Sequence, residues 1–304
     1  AVAIAVGLTL ANLAVAFGAV RYVAGLARPL TGPANLPDEV GTAILATTAS
    51  PTAGYGMLKE YRDAGVLDDR ATLVAITINT FFGFAQHILT FYAPVLIPIL
   101  GLQVGLMYVG ARALIALAIT TVGVAAGALL LSEANVEYDP EIEPEAELAD
   151  GGATTTRAKL REAGENTVEK VRDILPRLVV VYTLVVVAIE RFDVTQITSV
   201  GDPIAGVLGL PGAAVPTIAV FAVDTTNGAV FIAPFVEDGT FTARQAVATM
   251  LVGGIVSFAV STFKRSIPFQ YGIWGAEFGS KVILVNTALK VCFIAVAVAV
   301  LLAP

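Results

Sequence analysis

Apolar positions along the chain gather into long runs broken by short polar interruptions. A helix that crosses a bilayer needs about 20 mostly apolar residues, and the runs at 1–20, 70–92, 103–131, 174–192, 244–263 and 281–302 meet that length. Six spans are therefore predicted. The fourth has the shortest uninterrupted core, LVVVYTLVVVAI at 178–189, and its flanking Arg177, Glu190 and Arg191 reach the interfaces by snorkelling. Two other apolar stretches do not fit a span. Residues 38–49 supply a helix of roughly 18 Å, short of the hydrocarbon thickness of about 30 Å. They lead through ATTASPTAGYG (46–56) into the charged KEYRDAG, so the chain has to surface again nearby. This pattern predicts a re-entrant hairpin with its tip at Ser50-Pro51-Thr52. A second is predicted with arms at about 211–223 and 228–236 and its tip at Asp224-Thr225-Thr226-Asn227.

Displacing the sequence by 174 residues lays 36–128 over 210–302 without a gap. Leu36-Pro37 falls on Leu210-Pro211, Thr52 on Thr226, Gly54 on Gly228, Gly65 on Gly239 and Arg70 on Arg244. Pro94 falls on Pro268, Gly101 on Gly275 and Gly105 on Gly279. Glycine and proline mark special backbone dihedrals, so their coincidence reads as a duplication. Each copy holds one span, a hairpin and two more spans. Three is odd, so the second copy enters the membrane from the opposite face. The expected fold is an all-α integral membrane protein of two inverted-topology repeats, each with three transmembrane helices and a re-entrant broken hairpin. The expected organisation is a first repeat at 1–131, an acidic linker with a surface helix at 132–173, and a second repeat at 174–304. The helix, at 157–173, reads as a solvated linker, with a membrane-surface role for its bases as the alternative.

Charge refines this picture. Hydrophobic residues make up 56% and charged residues 14% of the chain, and mean hydropathy is +0.80, a membrane-protein composition. The net charge of −7 resides in 133–150, which carries eight acids and no base and leaves the rest near +1. That loop reads as solvated, and its acidity fits a high-salt, halophilic cytoplasm. With the N-terminus outside, the basic residues of the connections collect on the cytoplasmic side together with the 132–173 linker, as the positive-inside rule requires. Cys292 is the single cysteine, so no intramolecular disulfide forms.

Candidate chemistry sits where the hydrophobic pattern fails. Non-helical backbone at membrane depth survives only against protein or water, so the two tips are expected to meet around a polar cavity. Ser50, Thr52, Asp224, Thr225, Thr226 and Asn227 are the candidate substrate-binding residues there. The alternative is that Asp224 and Ser50 simply cap the half-helices on their C-terminal side, which does not exclude ligand contact. Asn79 and Gln86 extend the set along span two, with Thr80 and His87, and Ser257, Ser261 and Thr262 are the polar positions of span five. Arg112 and Lys290 are charges inside predicted spans that either line the cavity or snorkel. Trp274 is expected as an interfacial anchor within the polar stretch that also holds Gln270, Tyr271 and Glu277.

The run TASPTAGYGMLKEYRDAGVLDDRATLVAITINTFFGFAQHILTFYAPVLIPILGLQVGL resembles the nucleoside-recognition (Gate) domain of archaeal membrane proteins, a group similar to bacterial spore maturation membrane proteins. More distantly it is similar to the Gate segments of ferrous iron transporters and the core of concentrative nucleoside transporters. The resemblance covers both halves and implies a transport-like fold with paired broken hairpins. It brings no substrate and no residue-level contacts with it.

Two functions compete. One is a transporter moving a small polar solute, nucleoside-like or anionic, by alternating access, with Na+ or H+ as a coupling ion and no other cofactor or metal. The other is a membrane scaffold or assembly partner that uses the acidic loop for docking. Enzyme function is not expected, because no nucleophile-base pair or metal set is visible. The expected partners are the lipid bilayer, the solute and a second copy of the chain, with no nucleic acid and no nucleotide-driven step.

Overall fold

A computed structural model describes residues 28–132, residue 135, scattered positions between 161 and 187, and residues 205–303. The predicted spans at 1–20 and 174–192, the acidic loop and the 157–173 helix lie wholly or largely outside the described residues. Among the described residues the secondary structure is helical, with no strand. The elements are α1 (Asp38–Ala49), α2 (Pro51–Asp63), α3 (Asp69–His87), a π-helical stretch Ile88–Leu96, α4 (Ile97–Leu100) and α5 (Leu102–Leu130). They continue as α6 (Ala214–Val223), α7 (Thr225–Glu237), α8 (Ala243–Ser261), a second π stretch Thr262–Ser266 and α9 (Ile267–Leu302). Three continuous stretches, Asp69–Leu100, Leu102–Leu130 and Ile267–Leu302, are long and apolar enough to cross a membrane.

The 174-residue displacement reappears in backbone geometry. Ser50 (φ −147°, ψ 113°) and Asp224 (φ −152°, ψ 127°) break their hairpins with the same extended conformation. Gly101 (φ 77°, ψ 163°) and Gly275 (φ 75°, ψ 170°) interrupt the helices at equivalent points in a region that only glycine enters freely. Both π stretches begin at equivalent residues, Ile88 and Thr262, and lead into Pro94 and Pro268. A proline inside a helix removes one N–H and crowds the carbonyl four residues back, and a widened turn absorbs both effects.

The first hairpin is antiparallel. Gly54 on α2 meets α1 beside Ala43 and Thr47, and further from the tip the Tyr61 hydroxyl donates to the Glu39 carbonyl at 3.4 Å. A side chain at Gly54 would bring its Cβ within 2.6 Å of the Ala43 carbonyl oxygen, so glycine sets this approach. Gly228 plays the same part against Phe221 in the second hairpin.

Packing crosses between the halves. Leu100, Val104 and Tyr108 of the first half belong to a core built mainly from 205–251. Their equivalents Trp274, Phe278 and Val282 belong to the core built from 34–82. Trp274 is thus buried against Tyr55 and Phe278, which corrects its expected place as an interfacial anchor. The burial follows from Gly275, which turns the short helix before it inward.

A polar tie joins the halves at one point. The Arg62 guanidinium donates twice to Asp69 Oδ1, at 2.9 and 2.7 Å, and lies 4.2 Å from the centre of the Phe278 ring. Lys281 Nζ reaches Asp69 Oδ2 at 3.1 Å and Glu277 at 3.4 Å. The equivalents of Arg62, Asp69, Phe278 and Lys281 are Val236, Ala243, Val104 and Met107, all apolar and all part of the first core, while Glu277 corresponds to the exposed Gln103.

Candidate functional site

A cavity of about 290 Å³ lies between the halves. Helical periodicity decides what faces it. Asn79, Thr80, Gly83, Phe84 and His87 form one stripe of α3, and Arg112, Ile115, Ala116 and Ile119 one stripe of α5. Asn286, Lys290 and Ile294 form the matching stripe of α9, with Phe258 and Phe269 beside them. The first hairpin closes the wall with Thr47, Pro51 and Tyr55 at its tip, and Tyr92 comes from the π stretch. Three pairs of lining residues are repeat equivalents, Phe84 with Phe258, Arg112 with Asn286 and Ala116 with Lys290.

The polar groups of this wall are orderable by their hydrogen bonds. The Thr47 hydroxyl donates to the Ala43 carbonyl at 3.1 Å, so its lone pair accepts the Asn79 Nδ2 proton at 2.8 Å. This fixes the Asn79 amide and leaves its Oδ1 buried without a partner. Tyr108, one turn before Arg112 on α5, is buried, with its side chain against the Arg112 guanidinium.

Arg112 rests among the rings of Phe84, Tyr92 and Tyr108, with centroids 5.7–5.9 Å from its guanidinium carbon. Such contacts return about 0.5–2 kcal/mol each to a charge removed from water. Among the described residues Lys290 has no such ring. Both side chains keep some accessible surface, as cavity walls do, and protein encloses them otherwise. Among the described residues no Asp or Glu forms an ion pair with either, and the cavity wall contains no carboxylate. Both charged residues therefore line the cavity, the first of the two alternatives that the sequence left open.

The residues singled out from the sequence fall in different places. Asn79 lines the cavity, and Ser50 and Thr52 flank Pro51, which does. Ser50 caps α2 by accepting from Ala53 N at 3.3 Å, and Thr52 is exposed. Asp224 caps α7 by accepting from Asn227 N at 2.8 Å. Thr225, Thr226 and Asn227 belong to the first turn of α7, half-buried and outside the cavity wall. Gln86 points its Oε1 into protein without a partner and also lies off the wall. Ser257, Ser261 and Thr262 do not line it either, whereas Thr80 and His87 do. Asn286, Tyr55 and the phenylalanines escaped the sequence reading. The signal for Asn286 was present, since the 174-residue displacement lays Arg112 on it and pairs two polar groups inside predicted spans.

These features are those of a helical protein with segments long and apolar enough to cross a membrane and a partly open cavity whose mainly apolar wall carries two cations. In sequence it is similar to three uncharacterized proteins of the archaeon Methanocaldococcus jannaschii. MJ0871 is 24% identical over 91% of this chain and 84% of its own length. MJ0880 is 20% identical over 94% and 91%, and MJ1556 is 22% identical over 98% and 92%. No family model matches the chain. No solved structure matches it.

Proposed function

We propose that the protein is a secondary transporter that moves a small polar solute across a membrane by alternating access. The observation that carries this reading is the cavity between the halves, to whose wall the repeat-equivalent pairs Phe84 with Phe258, Arg112 with Asn286 and Ala116 with Lys290 all contribute. A site shared by two repeats stays between them while one rocks against the other, which exposes it to each face in turn. The shared break geometry at Ser50 and Asp224, and at Gly101 and Gly275, supports two repeats of one design. In this reading the repeats are inverted, the hairpins re-entrant and the linker cytoplasmic. A scaffold would need no solute-sized interior. The observed volume lies at the lower end of small-molecule sites, which favours transport over that alternative.

The test uses a cysteine placed on the cavity wall. Ala116→Cys in a Cys292→Ser background, reconstituted in vesicles, is expected to react with a membrane-impermeant thiol reagent from both faces. Solute on one side should shift the balance between them. Labelling from one face only, insensitive to every solute tried, would overturn the transport reading.

A further inference from the structure

We propose that the solute is a small organic oxyanion, with a carboxylate or phosphate group held between Arg112 and Lys290 and a body that carries a hydrogen-bond donor. This rests on the reading of the cavity as the transport site and names its substrate class. Among the described residues, two cations face one cavity whose wall contains no acid, and neither has a carboxylate partner. A charge kept inside protein without a counterion is costly, and it persists where a ligand completes it. The planar guanidinium matches the two oxygens of a carboxylate or phosphate, and the ammonium supplies a point charge.

The rest of the wall describes the rest of the molecule. Phe84, Phe258 and Phe269 offer apolar faces to a ring or hydrocarbon body. Asn286, half-buried on the wall, carries an amide carbonyl that suits a ligand N–H or O–H. A neutral solute would satisfy the amide and leave both cations uncompensated.

Matched probes test this on the full chain in detergent. 4-Hydroxybenzoate is compared with 4-hydroxybenzamide, and uridine monophosphate with uridine, by isothermal titration and by the thermal shift each produces. The anion of at least one pair is expected to bind about 10-fold or more tightly than its neutral counterpart. Arg112→Gln and Lys290→Gln should each weaken that binding by about 10- to 100-fold. Arg112→Lys, which keeps charge and loses the fork, should fall between. Lys290→Gln should also raise the melting temperature of the ligand-free protein, because it removes an unpaired buried charge. Equal binding of neutral and charged members in both pairs would overturn the proposal, and this comparison needs no variant to fold. Wild-type affinity in both glutamine variants would overturn it too. A response confined to micelle-borne phosphatidylglycerol would make the pocket a lipid-headgroup site and overturn it as a solute site. Anions bound yet never carried into vesicles would sink the transport reading and leave the anion site standing. Carriage of uridine alone would do the reverse.

Discussion

At the scale of single residues, one missing methyl group sets how tightly the first hairpin closes. Gly54→Ala would drive its new Cβ into the Ala43 carbonyl and the Thr47 side chain, while Gly56, two residues on, has nothing within 4 Å of such an atom. Gly54→Ala is expected to cost about 1–3 kcal/mol by overpacking. Gly56→Ala should stay within about 0.5 kcal/mol of wild type. Thermal unfolding in detergent of the two variants measures the difference. Thr47 also holds Asn79, so the same substitution disturbs the cavity wall. Legibility at this scale was uneven. A charge inside an apolar run announces itself, and Arg112 and Lys290 were visible as such. Asp224 was equally visible, yet in this structure its carboxylate is engaged by the backbone of its own helix. Hydropathy registers that a polar group is present but carries no information on which neighbour satisfies it.

At the scale of elements, the sequence marked where helices break better than where they resume. The first arm, expected at 38–49, is Asp38–Ala49. The second tip, expected to span Asp224 to Asn227, shrinks to Asp224, because its cap lets helix begin at Thr225. Span two, expected to end at 92, runs on to Leu100 because the π stretch lets the helix pass Pro94. Neither a cap nor a π turn has a hydropathy signature, which is why both were missed. Between elements, Thr120 on α5 donates its hydroxyl to the Ile78 carbonyl at 2.8 Å and accepts from Phe81 N at 3.1 Å, stitching α5 to α3. Thr120→Val keeps the shape and removes both bonds. Interhelical bonds of this kind average about 0.6 kcal/mol and reach about 1.7, and two are lost here. Thr120→Val is therefore expected to destabilise by about 1–2 kcal/mol, measured as a lowered unfolding midpoint. An unchanged midpoint would show that the stitch contributes nothing.

At the scale of the whole molecule, the 174-residue correspondence was legible as a pattern of glycines and prolines, while the exchange of packing between halves was not. Leu100, Val104 and Tyr108 look like ordinary span residues, and only the turn at Gly101 sends them into the other core. The matched segments also differ in one respect that chemistry makes consequential. Arg62, Asp69 and Lys281 tie the halves ionically at one point, and the equivalent point is greasy. Raising salt from about 0.1 M to about 1 M shortens the reach of exposed charges from about 10 Å to about 3 Å, and it strengthens apolar burial where the salt is excluded from the surface. Thiol labelling of Ala116→Cys should consequently speed up from one face as sulfate salt is added, and slow or hold steady from the other. Equal changes at both faces would count against this. Under the proposed rocking motion, an ionic seam and an apolar seam that answer salt in opposite senses would let the surrounding salinity set which way the molecule leans.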